Sequence, residues 1–188
     1  SAQLPAEDAV SLERPQANQS GQLKIAAPML SRIANFDDAD PLRSDPNVDF
    51  AWIPPGTPLP RDADLIILFG TKSTLGDLAF LREQGWDHDV ISHARAGGHV
   101  LGICGGFQML GETISDPGGY DGPAGEARGL GLLKVDTEMT SEKRILPVTG
   151  ENTVTKKGLK GYEIHTGTTH GRDTKRTFAT LNGTGDGA

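Results

Sequence analysis

The segment Val100-Leu101-Gly102-Ile103-Cys104-Gly105-Gly106-Phe107-Gln108-Met109-Leu110-Gly111 sets the only cysteine between a short apolar run and a stretch with helical spacing, with glycines on both sides. A strand that turns abruptly into a helix can hold its turn residue in a strained conformation, and small neighbours let the backbone make that turn. The thiol then projects near a helix N-terminus, where the local field favours thiolate. A lone cysteine in apolar surroundings is ordinarily just buried. Gly102 and the Gly105-Gly106 pair mark Cys104 as a candidate nucleophile instead, because a merely buried thiol needs no such flanks.

Working outward, His99-Val100-Leu101-Gly102-Ile103 reads as the strand before the turn and residues 107–113 as the helix after it. Leu65-Ile66-Ile67-Leu68-Phe69 is apolar throughout, the pattern of a central strand in a parallel sheet covered on both faces. Leu23-Lys24-Ile25-Ala26-Ala27 reads as a first strand and residues 48–53 as a second, closed by Pro54, Pro55, Pro58 and Pro60. Residues 74–83 place Leu75, Leu78, Phe80 and Leu81 about one turn apart, and residues 86–96 do the same with Val90, Ile91 and Ala94. This alternation predicts an α/β three-layer domain with a mostly parallel central sheet. Ile25, Ile67, Phe69, Leu101 and Ile103 should lie in its core, with Met109 packed beneath the cysteine turn. Reactive residues of such sheets gather at the carboxyl ends of the strands, where both Gly70-Thr71-Lys72 and Cys104 fall.

The second half is less periodic. Residues 117–129 read as a glycine-rich surface loop placed over the mouth of the site. Leu132-Leu133-Lys134-Val135 and residues 145–149, 153–155 and 161–166 read as strands of an antiparallel extension, with Lys156-Lys157-Gly158 as a turn. Residues 1–21 carry Pro5, Pro15 and many polar side chains, which reads as a linker or the tail of a preceding domain. Residues 22–188 form the main domain.

A net charge of −7 and few aromatic residues argue against a nucleic-acid-binding stripe or a basic membrane surface. No apolar segment approaches the length of a membrane span, and no secretory signal pattern is present. A single cysteine permits no internal disulfide, which suits a reducing cytoplasm. One thiol and five dispersed histidines lack the spacing of a metal site.

Residues 101–111, read with Gly70-Thr71-Lys72-Ser73-Thr74 and Gly161-Tyr162-Glu163-Ile164-His165-Thr166-Gly167, resemble the glutamine amidotransferase domain of cobyric acid synthases, within the triad (class I) amidotransferase group. Ile33-Ala34-Asn35-Phe36-Asp37 and Leu75-Gly76-Asp77-Leu78 extend the similarity. The resemblance implies a class I glutamine amidotransferase-like fold in which Cys104 attacks glutamine. The backbone N–H groups of Gly105 and of the Gly70-Thr71 loop would receive the oxyanion, with Gln108, Glu163 and His165 as further residues lining the site. It also places the catalytic histidine in a Tyr-Leu-His-Gly segment beyond the Gly161-to-Gly167 strand. That segment does not occur in this sequence, so the domain is expected to be truncated before its general base.

The implied role is to supply ammonia for ATP-dependent amidation of adenosylcobyrinic acid a,c-diamide to cobyric acid. Nothing in the sequence matches GxxxxGK[ST], so the resemblance assigns ATP, Mg and the corrinoid to a synthetase domain ahead of this one, which itself carries no cofactor. Two alternatives stay open: the amidotransferase unit of another pathway, such as cobyrinic acid a,c-diamide synthase or a cell-wall Mur-ligase partner, and a non-catalytic interaction domain.

Overall fold

The computed structural model describes residues 22–188, so the segment read as a linker, residues 1–21, lies outside the described residues. Strands β1 (Leu23–Pro28), β2 (Val48–Ile53), β3 (Leu65–Leu68) and β4 (His99–Gly102) form an entirely parallel sheet in the order β2-β1-β3-β4. In β3, paired on both sides, Ile66, Ile67 and Leu68 are all buried, which accounts for its uninterrupted apolar sequence. The chain runs from β1 outward to β2, then crosses back over β1 to β3. The winding therefore reverses between β1 and β3, and a crevice opens beyond the carboxyl ends of these two strands. Residues 30–34 and 70–74 meet there.

A short 3-10 helix (Phe36–Ala39) leads into α1 (Asp40–Ser44); α2 (Thr74–Glu83) and α3 (Trp86–Arg95) join β3 to β4, and α4 (Gly105–Met109) follows the cysteine. Leu78 and Leu81 of α2 and Trp86 and Val90 of α3 are buried in the core. Ile25, Ile67, Phe69 and Met109 are buried as their sequence positions imply. Leu101 is only partly buried against the core, and Ile103 is 37% exposed. Ile103 stands one residue beyond the last paired position of β4. Its N–H still donates to Leu68 O at 2.9 Å, but the residue belongs to the turn and not to the sheet interior.

Helix α4 starts two residues earlier than its apolar spacing suggests and ends well before residue 113. Leu110 N donates to Phe107 O and Gly111 N to Gln108 O, both at 3.1 Å, so the last turn tightens to a three-residue repeat. Glu112 N then donates to Val135 O at 2.7 Å and draws the chain into a second sheet.

That sheet comprises β5 (Thr113–Asp116), β6 (Gly125–Arg128), β7 (Val135–Asn152), β8 (Gly158–Gly171), β9 (Ala179–Leu181) and β10 (Thr184–Asp186). Its order is β10-β9-β7-β5-β6, with β8 antiparallel to β7; only β5 and β7 run parallel. The expected antiparallel extension is thus a sheet of its own. Three local expectations change. The stretch 117–129 contains β6, paired to β5. Leu132 N and Leu133 N both donate to Leu110 O, so 132–134 is a turn and β7 begins at Val135. Residues 153–155 also turn, because Asn152 Oδ1 accepts from the N–H groups of Val154 and Thr155. Residues 145–149 and 161–166 lie within β7 and β8, paired to one another around Val148 and Gly161.

Candidate active site

Cys104 occupies the junction between β4 and α4 with φ 52° and ψ −114°, a conformation L-residues rarely adopt. Strain of this kind costs of order 1–3 kcal/mol and persists only where the surroundings impose it. Here close backbone packing imposes it: a Cβ on Gly106 would stand 1.9 Å from Leu68 O, so α4 rests directly on the backbone of β3. Gly105 is equally constrained, since its Cβ would meet Thr71 Cγ2 at 2.6 Å and Thr71 N at 3.3 Å.

The Gly70-Thr71 loop is pinned from the other side. Ala34 N donates to Gly70 O at 2.8 Å and Lys72 N to Arg32 O at 2.9 Å, flanking an antiparallel bridge between Ile33 and Thr71. In such a bridge the hydrogen bonds belong to the flanking residues and the N–H of the central one points away from its partner strand. The N–H of Thr71 is therefore directed away from residues 32–34, on the side where Gly105 lies. A second set of bonds fixes the Thr71 side chain. Its hydroxyl accepts from Ser73 N at 3.0 Å and donates to Asp77 Oδ2, and Asp77 also accepts from Ser31 Oγ and from Arg32 N at 3.1 Å. Asp77 itself is fully buried.

Cys104 is exposed as a residue, and its Sγ lies 3.7 Å from Ile164 O of β8 with the thiol donating. The protein atoms around the sulfur push the thiol pKa up by desolvation. A hydrogen bond from Gly105 N–H opposes this, and the carboxylates of Asp121 and Asp38 add to the rise. Asp121 sits on the 117–124 loop, whose chain is folded around Asp116: Tyr120 N and Asp121 N donate to its two oxygens at 2.8 and 2.9 Å. Asp121 Oδ2 in turn accepts from Thr74 N at 2.6 Å, so the loop lies at the mouth of the site as its composition suggests.

Gln108 is buried, and both ends of its amide are engaged. Thr74 Oγ1 donates to Oε1 at 3.3 Å, while Nε2 donates to Thr166 O at 3.1 Å, tying α2, α4 and β8 together. Glu163 and His165 are partly buried neighbours on β8, with His165 Nδ1 3.4 Å from Glu163 Oε1. The structure therefore brings Gly70, Thr71, Cys104, Gly105 and Gln108 together, and Ile164 between Glu163 and His165 carries β8 to the thiol. His93 and His99 lie elsewhere, joined by Nε2 of the former and the carbonyl of the latter at 3.0 Å. Sequence reasoning missed Asp77, Ser31, Asp121 and Thr74. An acid in the first turn of α2 was visible for Asp77, but two of its three partners lie 45 and 46 residues away. Among the described residues no group of three or more His, Cys, Asp or Glu could hold a metal ion, and no helix is long and apolar enough to cross a membrane.

Backbone N–H groups set beside a strained cysteine can stabilise the tetrahedral oxyanion formed at a carbonyl that the thiol attacks. Comparison with known proteins shows the family and the fold. The family model of the CobB/CobQ-like glutamine amidotransferase domain matches residues 24–188. The chain belongs to this family. The cobyric acid synthase of Hyphomonas neptunium is 62% identical over 187 residues, all of this chain and 38% of the relative; that of Caulobacter sp. (strain K31) is 56% identical over 98% of this chain and 38% of its own length. The amidotransferase domain thus spans about 38% of the curated relatives it matches. Among solved structures, PurLQS from Thermotoga maritima superposes with a TM-score of 0.61 at 18% identity, covering 89% of this chain and 78% of the other. A glutamine amidotransferase crystal structure gives 0.54 at 16%, covering 86% and 82%. Both likenesses bear on the fold, an α/β three-layer arrangement with mixed parallel and antiparallel pairing.

Proposed function

We propose that this amidotransferase domain hydrolyses glutamine at Cys104 and, within a longer polypeptide, delivers the ammonia to ATP-dependent amidation of adenosylcobyrinic acid a,c-diamide, yielding cobyric acid. The observation that carries the reading is the convergence of a strained Cys104 with the N–H groups of Gly105 and Thr71. The thiolate adds to the side-chain amide carbon of glutamine, and the oxygen that takes the negative charge is held by those two donors. Collapse of the tetrahedral species breaks the C–N bond, the nitrogen leaves as ammonia after gaining a proton, and a γ-glutamyl thioester remains. Water then cleaves the thioester to glutamate and restores the thiol.

The cobyric acid assignment is supported by relatives named cobyric acid synthase at 52–62% identity. ATP and Mg belong, on this reading, to the remainder of the longer protein, in a cytoplasmic enzyme. The decisive assay supplies the full-length protein with ATP, Mg, the a,c-diamide corrinoid, and either glutamine or ammonium. Cys104→Ser should abolish glutamine-dependent amidation and spare the ammonium-dependent reaction; absence of new side-chain amides with either nitrogen source would refute the substrate. His165→Ala tests the one histidine that adjoins the thiol's hydrogen-bond partner Ile164. A large fall in kcat would assign it the proton transfers, and an unchanged kcat would assign them to another group.

A further inference from the structure

We infer that Asp77 is a positioning residue that sets the Thr71 N–H for catalysis by locking the Thr71 side chain. The inference rests on the reading of Cys104 as nucleophile and Thr71 N–H as oxyanion donor. Thr71 contributes a backbone group, so its side chain has no evident chemical task, yet it is 8% exposed and fully bonded. The hydroxyl carries one proton. Since Ser73 N–H already donates to its oxygen, that proton must go outward, and Asp77 Oδ2 receives it. The same Oδ2 takes the N–H of Arg32, and Oδ1 takes the hydroxyl of Ser31. One buried carboxylate thus ties the oxyanion loop, residues 70–73, to the chain after β1, while the bridge between Ile33 and Thr71 fixes the same two segments through their backbones. The two ties together leave the Thr71 peptide no freedom to rotate. Donors aimed in advance at the developing charge give the rate advantage of an oxyanion site, and a misplaced donor loses it.

What Asp77 supplies is lone pairs in place, so the amide of asparagine can replace it. Its oxygen in the Oδ2 position would keep Arg32 N–H and Thr71 O–H, and its NH2 would turn to Ser31 Oγ, which can accept. Alanine can do neither. The test uses the full-length protein and follows glutaminase kcat and KM, together with the rate at which iodoacetamide alkylates Cys104, a reaction that forms no oxyanion. Asp77→Ala should lower kcat 10- to 100-fold, with KM within about twofold and alkylation unchanged, and Asp77→Asn should stay within about threefold of the parent. Thr71→Val, which keeps the shape and removes only the hydroxyl, should reproduce the Asp77→Ala loss, and combining the two should add little. It also serves if Asp77→Ala fails to fold. The inference is overturned if folded Asp77→Ala or Thr71→Val keeps full kcat, if Asp77→Asn falls as far as Asp77→Ala, or if alkylation and KM change along with kcat. Cys104→Ser in the same assays separates the two layers: retained glutaminase activity there would sink the nucleophile assignment itself, whatever Asp77 does.

Discussion

Adding one methyl group at Gly106 should damage both stability and turnover, and the size of the effect follows from the packing of α4 on β3. The new Cβ would lie 1.9 Å from Leu68 O, 2.5 Å from Leu68 C and 2.9 Å from Leu68 Cβ, where ordinary contact begins at 3.4 Å. The first two are backbone atoms of a strand paired on both sides and cannot swing aside. Helix α4 must therefore retreat by about 1.5 Å. Overpacking of this kind costs about 1–3 kcal/mol. The bond from Ile103 N to Leu68 O, 2.9 Å long, is strained by the same movement and adds roughly 1 kcal/mol. The expected destabilisation of Gly106→Ala is then about 2–4 kcal/mol by chemical denaturation. Because Cys104 and Gly105 precede the displaced residue, kcat for glutamine should fall on the order of 100-fold even in the folded fraction. Gly161→Ala is the control, as its Cβ meets nothing within 4 Å and its backbone is not left-handed. A Gly106→Ala protein as stable as the Gly161→Ala control, with kcat within threefold of the parent, would refute the close-packing account of the cysteine turn.

Burial and the carboxylate of Asp121 both raise the Cys104 pKa, so alkylation by iodoacetamide should keep accelerating above the ordinary thiol value of ~8.5, and Asp121→Asn should speed it several-fold at pH 7.5. A plateau below pH 8.5, or no response to Asp121→Asn, would contradict that electrostatic picture. Asp173 has its carboxyl held below the usual range by the Lys134 N–H first, then by Arg176 and Arg172; its stabilising effect is therefore present above pH ~4 and lost as pH falls through the depressed value. Asp173→Ala should lower Tm at pH 7, with the deficit shrinking in acid, and a deficit that grows in acid would reverse the sign of the argument. Gln108→Leu removes both links between Thr74 and Thr166 and strands buried polar groups, which should cost about 1–3 kcal/mol in a denaturation experiment.

The parts of this fold that were legible in the sequence are those fixed by local pattern. Continuous apolar residues in β3, a proline cluster after β2 and helical spacing in α2 and α3 each reflect a short stretch meeting one environment, and their observed bounds follow closely. The cysteine turn was legible for a related reason: glycines at 102, 105 and 106 are a local record of close backbone approach. The second sheet was read less well. In β7, Val135 to Asn152 is one long strand that pairs with three others in turn, and its exposed stretches carry no steady alternation for a periodicity argument to find. Leu132 and Leu133 look like strand residues but answer to the carbonyl of Leu110, a contact that only the folded chain supplies.

The candidate site divides along the same line. Cys104, Gly70, Thr71 and Gly105 could be named from motifs because, on the proposed reading, the chemistry constrains the residues adjacent in sequence to the reacting atoms. What holds those atoms still could not be. Asp77 reaches back to Ser31 and Arg32, and Asp121 reaches back 47 residues to Thr74, so each acts through a partner that the reversal of winding between β1 and β3, or the fold-over of the 117–124 loop, brings near. Their side chains are also common polar types in ordinary surface-like sequence, and the sequence gives no sign that Asp77 will be fully buried. A buried carboxylate without partners would cost several kcal/mol, so its three hydrogen bonds are a condition of the fold as well as an aid to the site. Stability and positioning therefore draw on the same contacts around Thr71.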